Sequence, residues 1–199
     1  ISKQGILWMC MALVLIPAVG ADTSGVEVQR YMEHQGDQRK PVLWRLTRGD
    51  GYRLIYQSPA ETHITETDPD LRTRSWHMSN ALEEVVLRAT REENAIVVRG
   101  SCKGKSIEER LAVDPAPWFQ ATSLSLRGFV LSQAERISFW SLRPDTLKTV
   151  KLTATKVARE SIEAAGAQEA AVKVELRADG WRAAFWKSDY WYRASDGRL

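Results

Sequence analysis

Gly100-Ser101-Cys102-Lys103-Gly104-Lys105-Ser106 ends on Gly-Lys-Ser, the triplet that closes a phosphate-binding loop. Such a loop needs a glycine five residues before the glycine of that triplet, so that backbone amides can cradle the phosphates. That position is Arg99. A helix should follow, yet Ser106 to Val113 alternates like a strand. The segment therefore reads as a hairpin turn.

The three histidines, His34, His63 and His77, form no close pair. No His-Glu-x-x-His helix or Cys/His zinc framework is present. Glu61 and His63 share a face if their segment is a strand, but two ligands do not hold a metal, and His63 reads as an exposed, solvated side chain. There is no Gly-x-Ser-x-Gly elbow for a serine nucleophile. Glu83-Glu84 and Glu92-Glu93 are adjacent pairs that point to opposite faces or sit in turns, so neither makes an acid–base couple. The expectation is a protein without catalytic residues, metal or cofactor.

Aromatic residues are the strongest local signal. Trp181, Phe185, Trp186, Tyr190, Trp191 and Tyr192 crowd one short stretch, and Trp8, Trp44, Trp76, Trp118 and Trp140 lie elsewhere. Trp and Tyr join a large apolar body to a polar edge, which suits core corners, ligand clefts and membrane interfaces. Alternation puts Tyr190 and Tyr192 on one face and Trp191 on the other. The expected ligand-binding set is Trp44, Trp140, Trp186, Tyr190 and Tyr192, lining a hollow that accepts an acyl chain. The competing reading is a hairpin whose rings close an ordinary core.

Strands must position these rings, because period-two alternation recurs throughout. Ala170, Val172, Val174, Leu176 and Ala178 face one way; Lys173, Glu175 and Arg177 face the other. Val42, Trp44 and Leu46 alternate with Leu43, Arg45 and Thr47. Tyr52, Leu54 and Tyr56 alternate with Arg53, Ile55 and Gln57, and Arg48-Gly49-Asp50-Gly51 joins the two runs as a hairpin. Further strands are predicted at Glu61 to Thr67, Thr73 to Met78, Leu82 to Thr90, Ala95 to Arg99, Ser106 to Val113, Ile137 to Leu142, Leu147 to Val157, Ala170 to Ala178, Trp181 to Trp186 and Tyr190 to Arg193. One stretch differs. Asp114-Pro115-Ala116-Pro117 resembles a cap with first-turn prolines, and Phe119, Leu126 and Val130 recur near helical spacing, which predicts a helix from Pro117 to about Phe129. The predicted fold is all-β dominated: a curved antiparallel meander, a half-closed barrel, with one short helix packed against it.

Ile1 to Ala21 has the form of a secretory signal. Lys3 gives a cationic start, Ile6 to Val19 is apolar apart from Pro17, and Ala18-Val19-Gly20-Ala21 supplies small residues before a cut after Gly20 or Ala21. Residues 22–199 then form a single β-rich domain, with the chain stopping at Leu199 where a further strand would be expected. The whole sequence holds 28 Lys and Arg against 25 Asp and Glu, and loss of Lys3 leaves a near-neutral mature chain with its charges interspersed. That argues against nucleic acid as a partner. Cys10 lies inside the signal, which leaves Cys102 without an internal disulfide partner.

From Ile137 to Arg198 a family resemblance emerges. A long strand (Leu147 to Val157) leads through Glu160-Ser161-Ile162-Glu163 and a Gly166 turn to Ala170–Leu176. It ends on Phe185-Trp186-Lys187-Ser188-Asp189-Tyr190-Trp191-Tyr192-Arg193 and the turn Ser195-Asp196-Gly197-Arg198. This resembles uncharacterised exported β-rich families of Gram-negative bacteria and, more distantly, the LolA/LolB lipoprotein-sorting fold. The resemblance implies a curved antiparallel sheet partly closed around an apolar hollow, with a helix against it and no catalytic residues to carry over. The lipid-attached cysteine of a LolB-type anchor is missing. The expected protein is periplasmic and non-enzymatic, binds a lipid or an acylated protein, and touches the membrane at most peripherally. The alternative is a structural or protein-interaction module with no small ligand.

Overall fold

The structure is a computed structural model, and it describes residues 14–15, 25–35, 38–164, 166–180 and 186–199. Strands dominate it. In chain order they are β1 (Val14–Leu15), β2 (Val26–Gln35), β3 (Gln38–Arg48), β4 (Tyr52–Gln57), β5 (Glu61–Thr67), β6 (Thr73–Asn80), β7 (Val85–Glu92), β8 (Ala95–Cys102) and β9 (Lys105–Ala112). The helix α1 (Thr122–Leu131) follows, and then β10 (Arg136–Arg143), β11 (Lys148–Ala164), β12 (Ala167–Ala178) and β13 (Lys187–Arg193). Every strand pairs antiparallel with its neighbour in sequence. The meander is interrupted once, at the helix, so it forms a sheet β1 to β9 and a second sheet β10 to β13. Neither sheet closes on itself, and the fold is the half-closed, barrel-like meander with one helix that the alternation predicted. The predicted signal segment lies outside the described residues except for Val14 and Leu15, which pair with Met32 and Tyr31. The predicted strand Trp181 to Trp186 also lies outside them, apart from Trp186.

Alternation explains the burial. Val172, Val174, Leu176 and Ala178 on β12 are buried, while Lys173, Glu175 and Arg177 reach toward solvent. Hydrophobic side chains collect in three clusters. One joins α1 to the smaller sheet through Leu126, Phe129, Phe139, Val174 and Tyr192. The second fills the larger sheet around Trp76, Leu87, Ile96 and Val98 and takes in Trp118 and Leu142. The third packs Leu124 of the helix against Trp44, Leu46 and Leu54. The helix thus presents opposite sides to the two sheets and packs between them.

Glycine matters most at Gly100. Its φ is +156°, and a Cβ there would stand 2.0 Å from the Val86 carbonyl oxygen, so β7 and β8 approach this closely only because no side chain intervenes. Three residues on, Lys103 (φ 50°) and Gly104 (φ 74°) turn the chain from β8 into β9 between paired Cys102 and Lys105. Two consecutive positive φ values match the right-handed twist of the flanking strands. The sequence that imitates a phosphate loop is this hairpin.

The helix starts later than the prolines suggest. Residues 117–119 form a bridge: Trp140 donates its N–H to the Pro117 carbonyl (2.8 Å), and Phe119 donates to the Trp140 carbonyl (2.9 Å). The prolines therefore belong to a strap between the sheets. Tertiary hydrogen bonds to β10 take the groups that a first helical turn would have used.

Candidate functional site

The strap Asp114–Gln120 is where the two sheets meet, and nearly all its polar groups are committed. Asp114 accepts from the Ala116 N–H (2.9 Å), from the Trp140 indole N–H (2.8 Å) and from the Lys151 ammonium. The Lys151 contact first, then the indole and the Ala116 amide, hold the Asp114 carboxyl down at about 2 against an ordinary value of 3.8. Thr73, at the start of β6, donates its N–H to the Trp118 carbonyl (2.8 Å), and its hydroxyl accepts from the Gln120 N–H (3.0 Å). The Gln120 side-chain oxygen accepts from the Trp118 indole and from the Leu142 N–H, both at 2.9 Å, and its amide donates to the Leu142 carbonyl at 2.9 Å. One side chain thereby ties the strap to β10.

The strap forms one wall of a cleft of about 590 Å³ at the end of the larger sheet. Pro115, Ala116 and Pro117 supply apolar surface, and Arg72, Arg74 and Arg91 line the same cleft. A volume of this size falls in the range of small-molecule sites, and mixed apolar and charged walls suit an amphipathic ligand. Each arginine is placed by backbone geometry. Arg72 ends the β5–β6 turn, where its N–H donates to Asp68 Oδ1 (2.9 Å). In that turn Leu71 is left-handed (φ 65°), held there by burying its side chain with Trp44, Leu46, Leu54 and Leu124. Arg74 is the extra residue of a bulge, since Glu66 pairs with Ser75 and Thr67 with Thr73. The alternation slips there, so Thr73 and Trp76 are both buried while Arg74 is exposed. Arg91 donates Nε–H to the Glu93 carbonyl (2.8 Å) and Nη2–H to the Asp114 carbonyl (2.7 Å). Its Nη1 is buried without a hydrogen-bond partner among the described residues. Burial pulls the guanidinium below its ordinary value and the Asp114 charge pushes back, but an arginine stays cationic.

A second, smaller cleft of about 350 Å³ lies at the other end of the same strands, where Glu61 and Glu84 contribute acidic side chains. The linings of the two clefts therefore differ in charge.

The five aromatic residues singled out in the sequence do not share one wall. Trp44 is buried in the third cluster, with the Arg127 guanidinium 5.0 Å from its ring centroid. Trp140 is half-buried at the edge of the second cluster and anchors the strap through Asp114. Trp186, Tyr190 and Tyr192 do come together, in the first cluster. Tyr192 is fully buried there and donates its hydroxyl to the Thr122 carbonyl (3.1 Å), while Trp186 and Tyr190 are half-buried at its edge. Burial pushes the Tyr192 phenol far above its ordinary value. His63, expected to be solvated, is instead half-buried. Its Nε2 lies 3.3 Å from Glu61, the Tyr56 ring meets it edge-on at 5.4 Å, and Trp76 lies 5.6 Å away. Contact with His63 is the main reason the Glu61 carboxyl lies below its usual range. Among the described residues no group of three or more His, Cys, Asp or Glu side chains is placed to hold a metal. No helix among them is long and apolar enough to cross a membrane.

Sequence reasoning missed the three arginines, Thr73 and Gln120. Asp114-Pro115-Ala116-Pro117 was the available signal, since two prolines flanking one residue suit an extended strap as well as a first helical turn. The arginines carried no signal, because they gather only through the register of β6 and β7.

No protein-family model matches this chain, and no curated protein matches it. Among solved structures, the chain is similar to the crystal structure of a beta-barrel-like protein of the domain of unknown function DUF1849 from Brucella abortus. The TM-score is 0.52 at 12% identity, over 95% of this chain and 86% of that one. At that identity the likeness shows a shared fold: a beta-barrel-like, β-rich architecture whose function is unknown.

Proposed function

We propose that this is a non-enzymatic, exported protein of the Gram-negative envelope that binds an amphipathic molecule, a lipid or an acylated protein. The observation that carries the reading is the cleft, whose lining joins the apolar strap to three arginines. A half-closed sheet with its helix inside leaves open ends at which such a molecule can be held without crossing the core. The LolA/LolB resemblance of the C-terminal third agrees with a role in lipid or lipoprotein handling. Trp186 and Tyr190, half-buried at the edge of the first cluster, remain the aromatic residues best able to add an apolar contact.

The second reading is a structural or protein-interaction module without a small ligand. The complete burial of Tyr192 and the near-complete burial of Trp44 favour it, because rings packed in a core are unavailable to a ligand. Titration with a fluorescent fatty acid separates the two, with Trp186→Ala run beside the wild type and stability measured for both. Binding in the wild type that weakens severalfold in a folded variant supports the ligand reading. A wild type that gives no response overturns the lipid reading and favours the structural module.

A further inference from the structure

We infer that the cleft recognises an oxyanion, a phosphate or carboxylate head group, and that Arg74 is its principal donor, with Arg72 and Arg91 completing the cationic wall. This rests on the reading of the protein as a binder of amphipathic molecules and names the chemistry of the end it grips.

Arg74 lies in a strand, yet the bulge at Glu66 and Ser75 removes it from the alternation and leaves it exposed on the cleft wall. It has no hydrogen-bond or ion-pair partner among the described residues. Arg74 and Arg91 each lie one residue beyond the last β6–β7 pair, Ser75–Thr90, and both line the cleft. Like charges gathered in one cleft repel, and an anion between them turns that repulsion into two attractions.

Arg91 is already fixed. Two backbone carbonyls hold its guanidinium, and the third nitrogen is buried and unpartnered. A guanidinium locked in place loses little freedom when an anion arrives. Arg72 has only a distant acid, Asp70 at 3.9 Å, and both side chains are exposed. Asp68, the carboxylate lining the cleft, is engaged with the Arg72 backbone N–H. The net charge of the cleft wall is therefore positive. The cleft at the other end of the sheet carries Glu61 and Glu84, so an anion has a preferred end.

The test is calorimetric titration of the exported chain with four probes: dodecyl phosphate, dodecanoate and dodecyl maltoside, each below its micelle concentration, and inorganic phosphate. Dodecyl phosphate and dodecanoate should bind, dodecyl maltoside about tenfold more weakly or worse, as loss of a charge-assisted contact predicts. Arg74→Gln should weaken dodecyl phosphate about tenfold, leave dodecyl maltoside unchanged, and leave the thermal midpoint unchanged because the side chain is exposed. Arg72→Gln should weaken it by a smaller factor.

Arginine-dependent binding of inorganic phosphate with no binding of any amphiphile would confirm the anion site and sink the amphiphile reading. Equal binding of the charged and neutral amphiphiles, indifferent to Arg74→Gln and Arg72→Gln, would overturn the inference and leave that reading standing. A protein that binds none of the four overturns both.

Discussion

Asp114 carries a disproportionate share of the strap's geometry. Its carboxylate gathers the Ala116 amide, the Trp140 indole and the Lys151 ammonium, while its carbonyl receives Arg91. Its folded value, about 2, lies below the ordinary 3.8. A depressed carboxylate stabilises the fold above its unfolded value and loses that contribution as pH falls through the folded one. Strap anchoring should therefore be complete above pH ~4 and fade between ~4 and ~2. Unfolding midpoints measured across that window should decline more steeply in the wild type than in Asp114→Asn, which keeps the shape and loses the titration. Parallel curves for the two would show that the carboxylate contributes nothing through its charge. Lys151 also lies 5.5 Å from the Trp140 ring centroid, so indole fluorescence offers a local readout of the same loosening.

Among the elements, the strap decides how two separate sheets become one body, and Gln120 is its keystone. Replacement by leucine keeps the approximate volume but strands three groups: the Trp118 indole N–H and both backbone polar groups of Leu142. Trp118 is 1% and Leu142 2% exposed, so water cannot take over. Each orphaned group costs about 1–3 kcal/mol, which predicts a loss of at least about 3 kcal/mol for Gln120→Leu in denaturant unfolding. A loss under about 1 kcal/mol would mean that the strap is held by its other contacts, the backbone bridge to Trp140 and the bonds at Asp114 and Thr73. The same element shows why the helix boundary was illegible. Proline at 115 and 117 is compatible with a first helical turn and with an extended strap. Only the presence of Trp140 across the gap, offering its own N–H and carbonyl, selects the strap.

At the scale of the whole molecule, the helix stands between the sheets and fills the space that a ligand cavity through the middle would need. Leu124 packs toward the larger sheet and Leu126, Phe129 and Val130 toward the smaller. That arrangement moves any binding to the open ends, and the cationic cleft lies at one of them. Export is a separate expectation, carried by the sequence: N-terminal sequencing of the mature protein from a Gram-negative host should begin at Ala21 or Asp22, after the small residues that a signal peptidase reads. Chains that keep Ile1 to Gly20 would overturn the expected export.

Alternation is a local property, and it is why so much of the fold could be read from the sequence. Glu61–Thr67 is a strand with the bounds that its pattern set, and the Lys103-Gly104 hairpin is marked in the sequence by a glycine that takes positive φ. Strand β2 was not legible, because Arg30-Tyr31-Met32-Glu33-His34 alternates poorly and its pairing to β3 comes from the partner. Which aromatic residues share a neighbourhood was also not local. Trp44, Trp140 and Tyr192 lie on three different strands, and the packing of those strands sends them to three different clusters. The arginine cleft depends on a bulge at Arg74, a register between β6 and β7, and a strap arriving from elsewhere in the chain. Each is settled by the packing of distant segments, and no residue's own preference encodes it.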